Sequence, residues 1–187
     1  GVGDGLGRLY ILNAGDGTQV TTAISTAVGS VTAPSGLSKI IAQVDGNYVT
    51  TRVYGGDLQG NLWRFTLGSA GYGKQLLATF LDASGNAQPI TARPQVTTYL
   101  AKPIVYVGTG RYLGTTDVNS TLQQSFYGVR DSLGSSSLGN PRASSTFIGL
   151  TASSSVCPDG TNVEICEPGS TIRTVTQTGT TSNASLS

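Results

Sequence analysis

The side chains of this sequence that could carry chemistry are few and scattered. The chain has ten acidic residues, two cysteines and no histidine, so no imidazole is present to act as a general base or to bind a metal. Most of the acids stand beside glycine, serine or asparagine, where a carboxylate accepts hydrogen bonds from nearby backbone amides. The sequence therefore predicts a protein that is not an enzyme and that holds no cofactor.

One acid, Asp57, lies in the most informative stretch, residues 52–65. A β-branched and an aromatic residue precede a turn that contains Gly60. The apolar residues that follow the turn include the single tryptophan, Trp63. This pattern predicts a β-hairpin. Asp57 is interpreted as the structural cap of the turn, with a ligand or acid in a pocket as the alternative. Trp63 is interpreted as a core residue, with a platform for stacking sugar or quinone rings as the alternative.

The two cysteines enclose residues 158–165, a segment rich in turn formers. An even number of cysteines with a turn between them predicts a local disulfide, Cys157 to Cys166, formed in an oxidising compartment. A metal pair is the alternative reading of the same residues. It is disfavoured, because two thiolates without any histidine fall short of the four ligands of a structural zinc site.

The elements that position these residues repeat along the chain. Tyr10, Tyr54 and Tyr106 stand in similar apolar segments at spacings of 44 and 52 residues, close to the roughly 40 to 50 residues of a four-stranded propeller blade. No segment shows a sustained helical period. The predicted fold class is all-β, a partial or modified β-propeller with quinoprotein-like blades of antiparallel meanders and long loops. Because 187 residues hold about three to four blades, we expect an incomplete propeller whose Gly1 is not a native start.

The strand pattern also predicts the organisation of the chain. Residues 1–131 are predicted to form the blades, and residues 132–187 a Ser/Thr/Gly-rich C-terminal segment with the disulfide loop, as part of the same domain. The predicted strands are 8–12, 19–24, 39–44, 52–57, 61–67, 74–81, 92–100, 103–108, 125–131, 146–151 and 171–177. An exposed insertion is expected at 111–122, and a loop or partly disordered linker at 132–145.

Charge and hydropathy exclude two classes of partner. The net charge is +1 and the basic residues are scattered singly, so no basic stripe exists for a phosphate backbone and nucleic acid is not a predicted partner. No apolar run approaches the roughly 18 residues of a spanning helix, so this segment is not expected to insert into a membrane. A composition dominated by Gly, Ser and Thr is typical of extracellular β-proteins with long loops.

Four motifs in order carry a resemblance to a known family. Residues 53–65 are similar to the signature Tyr-Ala-Gly-Asp-Leu-x-Gly-Asn-Leu-Trp-Arg-Phe, with Gly55 where alanine is usual. Residues 89–94, 105–113 and 124–131 are similar to an inter-blade segment and to the motifs Phe-Gly-Thr-Gly-Arg-Tyr-Leu and Gln-Ser-x-Tyr-Gly. The chain thus resembles the C-terminal propeller domain of the PilC/PilY family of bacterial type IV pilus-associated adhesin and assembly proteins.

The resemblance implies a non-enzymatic adhesion and assembly module of a type IV pilus biogenesis protein. It implies export through the periplasm to an extracellular, pilus-associated or outer-surface location. The implied partners are minor pilins or the pilus tip, together with a host or abiotic surface receptor that the sequence does not name. The alternative function is a fragment of a quinoprotein-like, PQQ-dependent dehydrogenase, because those enzymes repeat blade motifs similar to residues 6–17.

One departure from the family pattern concerns calcium. Family members often carry an acidic calcium-binding loop just before the hairpin, whereas here only Asp45 and Asn47 remain as side-chain oxygen ligands. Calcium takes six to eight oxygen ligands, and two side chains in one turn are too few. We therefore expect a tight hairpin turn at this place rather than a calcium site.

Overall fold

The structure is a computed structural model that describes residues 3–69 and 71–178. These residues form eleven β-strands in four sheets of antiparallel pairs, which confirms the predicted all-β class. The strands are β1 (Arg8–Leu9), β2 (Ile24–Ser25), β3 (Ile40–Val44), β4 (Thr50–Gly56), β5 (Asn61–Thr66), β6 (Gly73–Thr79), β7 (Gln95–Tyr99), β8 (Lys102–Gly108), β9 (Phe126–Arg130), β10 (Gly149–Val156) and β11 (Thr171–Thr178). Two short 3-10 helices are Thr115–Asn119 and Pro141–Ala143.

The central sheet is a four-stranded meander in the order β3-β4-β5-β6, as predicted for a complete blade. The turn between β4 and β5 sets a register in which Tyr54 lies opposite Arg64 and Val53 lies opposite Phe65. Because successive side chains of a strand point to opposite faces, Val53 and Phe65 share one face of the sheet while Tyr54 and Arg64 share the other.

Shorter sheets precede and follow the central sheet. The third sheet has the order β7-β8-β9, and residues between β8 and β9 form the predicted insertion, which contains the 3-10 helix Thr115–Asn119. The first sheet is less regular than predicted. Only the two-residue strands β1 and β2 pair there, and a single bridge joins Leu12 to Gln19.

The central sheet is covered on both faces. On one face Trp63 and Phe65 pack with Leu9 of β1 in a buried apolar cluster. Burial of such a side chain contributes about 1.5 to 3 kcal/mol. On the other face the Tyr54 hydroxyl, fully buried, bonds to Asp131 at the end of β9. The sheet is therefore sandwiched between its neighbours, as a propeller blade is.

The chain divides into two compact units, Gly1–Pro141 and Arg142–Ser187. Residues 132–141, which the sequence grouped with the C-terminal segment, belong to the first unit in the structure. The second unit contains the hairpin of β10 and β11, longer than the predicted strand 146–151, and its two cysteines form the predicted disulfide with a Cα–Cα distance of 6.1 Å. Residues 1, 2 and 179–187 of the two predicted segments lie outside the described residues. Within the part of the chain described, no helix is long and apolar enough to cross a membrane.

Candidate functional site

The turn between β4 and β5 is built around the carboxylate of Asp57, which is completely buried. Its Oδ1 accepts hydrogen bonds of 2.9 Å from the backbone amides of Gln59 and Asn61. Its Oδ2 accepts bonds of 2.9 Å from Asn61 Nδ2 and from Trp63 Nε1. Both oxygens of Asp57 are thus used to hold the turn and the indole in place, which is the arrangement of a structural cap.

Gly60 occupies the one position of this turn where a side chain does not fit. Its φ is +80°, in the left-handed region that glycine adopts most readily. A Cβ atom there would lie 2.5 Å from the carbonyl oxygen of Phe80 and 3.0 Å from that of Gln88. Glycine is therefore required both by the backbone conformation and by the approach of a second chain segment.

Trp63 lies inside the sheet packing and is 4% exposed. It packs with Leu9, Val53 and Phe65, and Lys74 Nζ lies 5.7 Å from the centre of its ring. Burial also lowers the pKa of Lys74. A ring with so little free surface offers no stacking platform in this conformation.

Gly55 stands where alanine is usual in the signature, and steric crowding explains why this chain has glycine there. A Cβ atom at this position would lie 2.8 Å from Ile40 Cγ2 and 3.1 Å from Leu37 Cδ1. In this chain the side chains of Ile40 and Leu37, packed against Gly55, fill the space that a methyl group on β4 would need.

A second polar centre joins the central sheet to the third sheet. Asp131, 2% exposed, accepts a 2.9 Å bond from the Tyr54 hydroxyl on Oδ2 and a 2.6 Å bond from Arg64 Nη1 on Oδ1. Burial, followed by the charge of Asp131, raises the pKa of Tyr54. The alternation of side chains along β5 places Arg64 on the face opposite Trp63. The structure identifies Asp131 as the partner of Arg64. The sequence gives no signal for this pair, because Arg64 and Asp131 are 67 positions apart.

The turn between β3 and β4, at Asp45 and Asn47, is closed by hydrogen bonds within the turn itself. Asp45 Oδ1 accepts bonds of 2.8 and 3.0 Å from the amides of Asn47 and Val49. Tyr48 has a φ of +62° and is 90% exposed. In residues 3–69 and 71–178, no three His, Cys, Asp or Glu side chains are grouped so that they could hold a metal ion.

The predicted insertion between β8 and β9 is exposed and ordered by one acid. Asp117 accepts bonds from the amides of Leu113 and Gly114 and pairs with Arg111 Nε at 2.8 Å. The bond from the Leu113 amide, and next the arginine, lower the pKa of Asp117. Tyr112 and Leu113 project into solvent, with 76% and 66% of their surface exposed.

A four-stranded antiparallel meander, covered on both faces and followed by a three-stranded one, is typical of the blades of β-propeller proteins. A family model for the PilY1 beta-propeller domain matches residues 1–146. The chain belongs to this family, which confirms the resemblance drawn from the four motifs.

Individual relatives agree with the family match. The chain is 37% identical over 105 residues to a type IV pilus biogenesis factor PilY1 homolog of Xylella fastidiosa, covering 54% of this chain and 8% of that protein. It is 33% identical over 131 residues to the type IV pilus biogenesis factor PilY1 of Pseudomonas aeruginosa, covering 55% of this chain and 11% of that protein. The chain thus spans about a tenth of the length of these relatives.

A solved structure confirms the fold. The crystal structure of the Pseudomonas aeruginosa PilY1 C-terminal domain superposes with a TM-score of 0.69 at 23% identity. The match covers 93% of this chain and 41% of that chain. At this level of identity the likeness supports the propeller-type fold alone.

Proposed function

We propose that this chain is a non-enzymatic adhesion and assembly module of a type IV pilus biogenesis protein. The observation that carries the proposal is the match of the PilY1 beta-propeller family model to residues 1–146. Relatives with the same domain bear the name type IV pilus biogenesis factor. Since those relatives are much longer, the module would contribute one part of the whole protein's role.

The non-enzymatic part of the proposal is supported by how the buried acids are used. Asp57 accepts four hydrogen bonds from its own hairpin, and Asp131 is held by Tyr54 and Arg64. A carboxylate whose oxygens are bonded to fixed donors is not poised to exchange a proton with a substrate. No observation specifically favours the PQQ-dependent dehydrogenase, so it is not proposed.

Minor pilins or the pilus tip are the partners that fit this proposal, with a host or abiotic surface as the target of adhesion. The expected location is extracellular, on the pilus or the outer surface, after passage through the periplasm. The disulfide between Cys157 and Cys166 supports an oxidising compartment. The exposed insertion with Tyr112 and Leu113 supports a role in contact with another surface.

An in-frame deletion of the codons for residues 1–146, in the bacterium that encodes the chain, tests the proposal. We expect fewer surface pili, measured by pilin immunoblots of sheared fractions, or normal pili with reduced attachment to surfaces. Restoring the wild-type codons serves as the matched control. Normal piliation together with normal attachment in the deletion strain would contradict the proposed function.

The non-enzymatic claim needs its own measurement. The purified chain is titrated with PQQ in the presence of millimolar calcium while the absorbance of the quinone is followed. We expect no saturable shift of the spectrum. A saturable shift would overturn this part of the proposal and would restore the dehydrogenase alternative, whatever the outcome of the deletion experiment.

A further inference from the structure

Residues 132–139, here called the strap, run from the end of the third sheet back to the central sheet. The amide of Leu138 donates a 2.7 Å bond to the carbonyl of Leu77, and the amide of Thr79 donates a 2.9 Å bond to the carbonyl of Gly139. These bonds lie on β6, whose other edge is paired with β5. The strap therefore covers part of the outer edge of the central sheet, where backbone groups would otherwise be unpaired.

The strap is attached by polar contacts and buries little apolar surface. Its sequence is Ser-Leu-Gly-Ser-Ser-Ser-Leu-Gly, and residues 134–139 are exposed. Even Leu138 keeps 39% of its surface in contact with solvent. Exposed backbone hydrogen bonds with few buried apolar contacts are typical of segments that open locally while the rest of the protein stays folded.

The first residues of the strap are held by a buried clamp centred on Asp131. Its Oδ1 accepts bonds from Arg64 Nη1 at 2.6 Å and from the amide of Leu133 at 2.8 Å. Arg64 Nη2 also donates a 2.8 Å bond to the carbonyl of Gly134. Leu133 has a φ of +64°, a conformation that is strained for leucine. The clamp thus holds the strap next to Leu133, where the backbone conformation is strained.

We propose that the strap is a locally opening cover of the β6 edge and that the Asp131 clamp sets how often it opens. Opening breaks the bonds at Leu77 and Thr79 and leaves the hairpin of β4 and β5 intact. It frees one donor and one acceptor on a sheet edge, the groups that an added strand pairs with in β-augmentation. This device is independent of the pilus function proposed above.

Hydrogen exchange of single amides in the whole chain tests the device. In the wild-type protein, the amides of Leu138 and Thr79 should exchange by an opening that depends only weakly on denaturant. The amides of β4 and β5 should instead exchange through global unfolding. Equal denaturant dependence of both groups would overturn the proposal, and this result requires no variant.

Asp131→Asn tests the role of the clamp. It should speed the weakly denaturant-dependent exchange at Leu138 and Thr79 by about tenfold or more. The amides of β4 and β5, which exchange through global unfolding, should speed only by as much as the free energy of unfolding falls when the buried ion pair with Arg64 is lost. The matched control is Asp117→Asn, which breaks the ion pair with Arg111 in the insertion and should leave the strap amides unchanged. Unchanged exchange at Leu138 and Thr79 in Asp131→Asn would overturn the clamp. So would exchange at these two amides that takes on the same denaturant dependence as exchange in β4 and β5.

Arg64→Lys provides the second variant if Asp131→Asn does not fold. It keeps a positive charge beside Asp131 but removes the donor to the carbonyl of Gly134. Faster exchange at the two strap amides is again expected, by an opening that depends only weakly on denaturant, whereas β4 and β5 should follow the change in global stability. Exchange at the wild-type rate would show that Arg64 does not hold the strap.

Discussion

The indole Nε1 of Trp63 donates a 2.9 Å hydrogen bond to Oδ2 of Asp57, so the single tryptophan is tied to the carboxylate that closes its own hairpin. The apolar part of the ring packs against Phe65 and Leu9 at the same time. Trp63 therefore links the turn to the apolar core. Asp57, Gly60 and Trp63 of the signature motif each have a structural role in this hairpin.

Replacing Asp57 with alanine should be among the most destabilising substitutions in the chain. It leaves the amides of Gln59 and Asn61 and the indole N–H without their acceptor in a fully buried place. We expect a loss of about 3 to 5 kcal/mol in the free energy of unfolding. Denaturant titration followed by the fluorescence of Trp63 measures it.

Asp45→Ala is the matched control for Asp57→Ala. Asp45 caps the β3–β4 turn with two similar backbone bonds, but it is exposed, so water can replace it. Its loss should cost about 1 kcal/mol or less. A cost for Asp57→Ala no larger than that of Asp45→Ala would contradict the central role given to Asp57.

Gly60→Ala and Gly85→Ala separate backbone conformation from steric space. The two glycines have nearly equal φ values of +80° and +84°, but a Cβ at residue 60 would meet the carbonyl oxygen of Phe80 at 2.5 Å, whereas residue 85 faces open space. Gly85→Ala should cost about 1 kcal/mol from conformation alone. Gly60→Ala should cost at least about 2 kcal/mol more, because backbone must move. Thermal or urea unfolding of both variants checks this, and equal costs would be the contrary result.

The sequence predicted the central sheet well because its signals are local. The turn of residues 57–61 and the alternation around it place the ends of β4 and β5 within two residues of the prediction. The partner of Arg64 could not be predicted, since Asp131 is distant in sequence and reaches Arg64 only after two sheets have packed. Residues 132–139 form a loop without helix or strand, but their contacts with β6 could not be predicted from the sequence. The serines and glycines of the strap carry no local pattern, and it is ordered by β6 and by the clamp.

Alkaline pH should destabilise the protein through Tyr54. Burial and the neighbouring Asp131 raise the pKa of Tyr54 above its ordinary value of 10.0. Above about pH 10 the unfolded chain releases this phenolic proton while the folded chain retains it, so the contribution of Tyr54 is full below that pH and falls as the pH rises. Urea unfolding at several pH values above neutrality should show this decline.

Tyr54→Phe should weaken that alkaline decline. It should also lower the stability at neutral pH by about 1 to 3 kcal/mol, because the buried Oδ2 of Asp131 loses its donor. Tyr112→Phe, at an exposed position, is the matched control and should keep the wild-type pH dependence. A Tyr54→Phe variant with an undiminished alkaline decline would rule out this explanation.

The disulfide should protect the β10–β11 hairpin in particular. Cys157 and Cys166 close a short loop between the two strands, with a sequence separation of 9. In the chain-entropy model the bond contributes about 2 to 3 kcal/mol. Reduction should speed hydrogen exchange in β10 and β11 and leave β4 and β5 as an internal control. Mass measurement after alkylation should find no modified thiol before reduction and two after it; two modified thiols in unreduced protein would refute the bond.

Calcium should hardly change the stability of this module. Oδ1 of Asp45 is already bonded to the amides of Asn47 and Val49, and the side chains of Tyr48 and Val49 in this turn offer calcium no carboxylate or amide oxygen. A ligand stabilises by RT ln(1 + [L]/Kd), which is near zero when Kd far exceeds the concentration used. Melting curves in chelator and in millimolar calcium should therefore coincide, for the wild type and for Asp45→Ala. A calcium-dependent rise in Tm that disappears in Asp45→Ala would show that carbonyls and distant carboxylates complete a site around this turn.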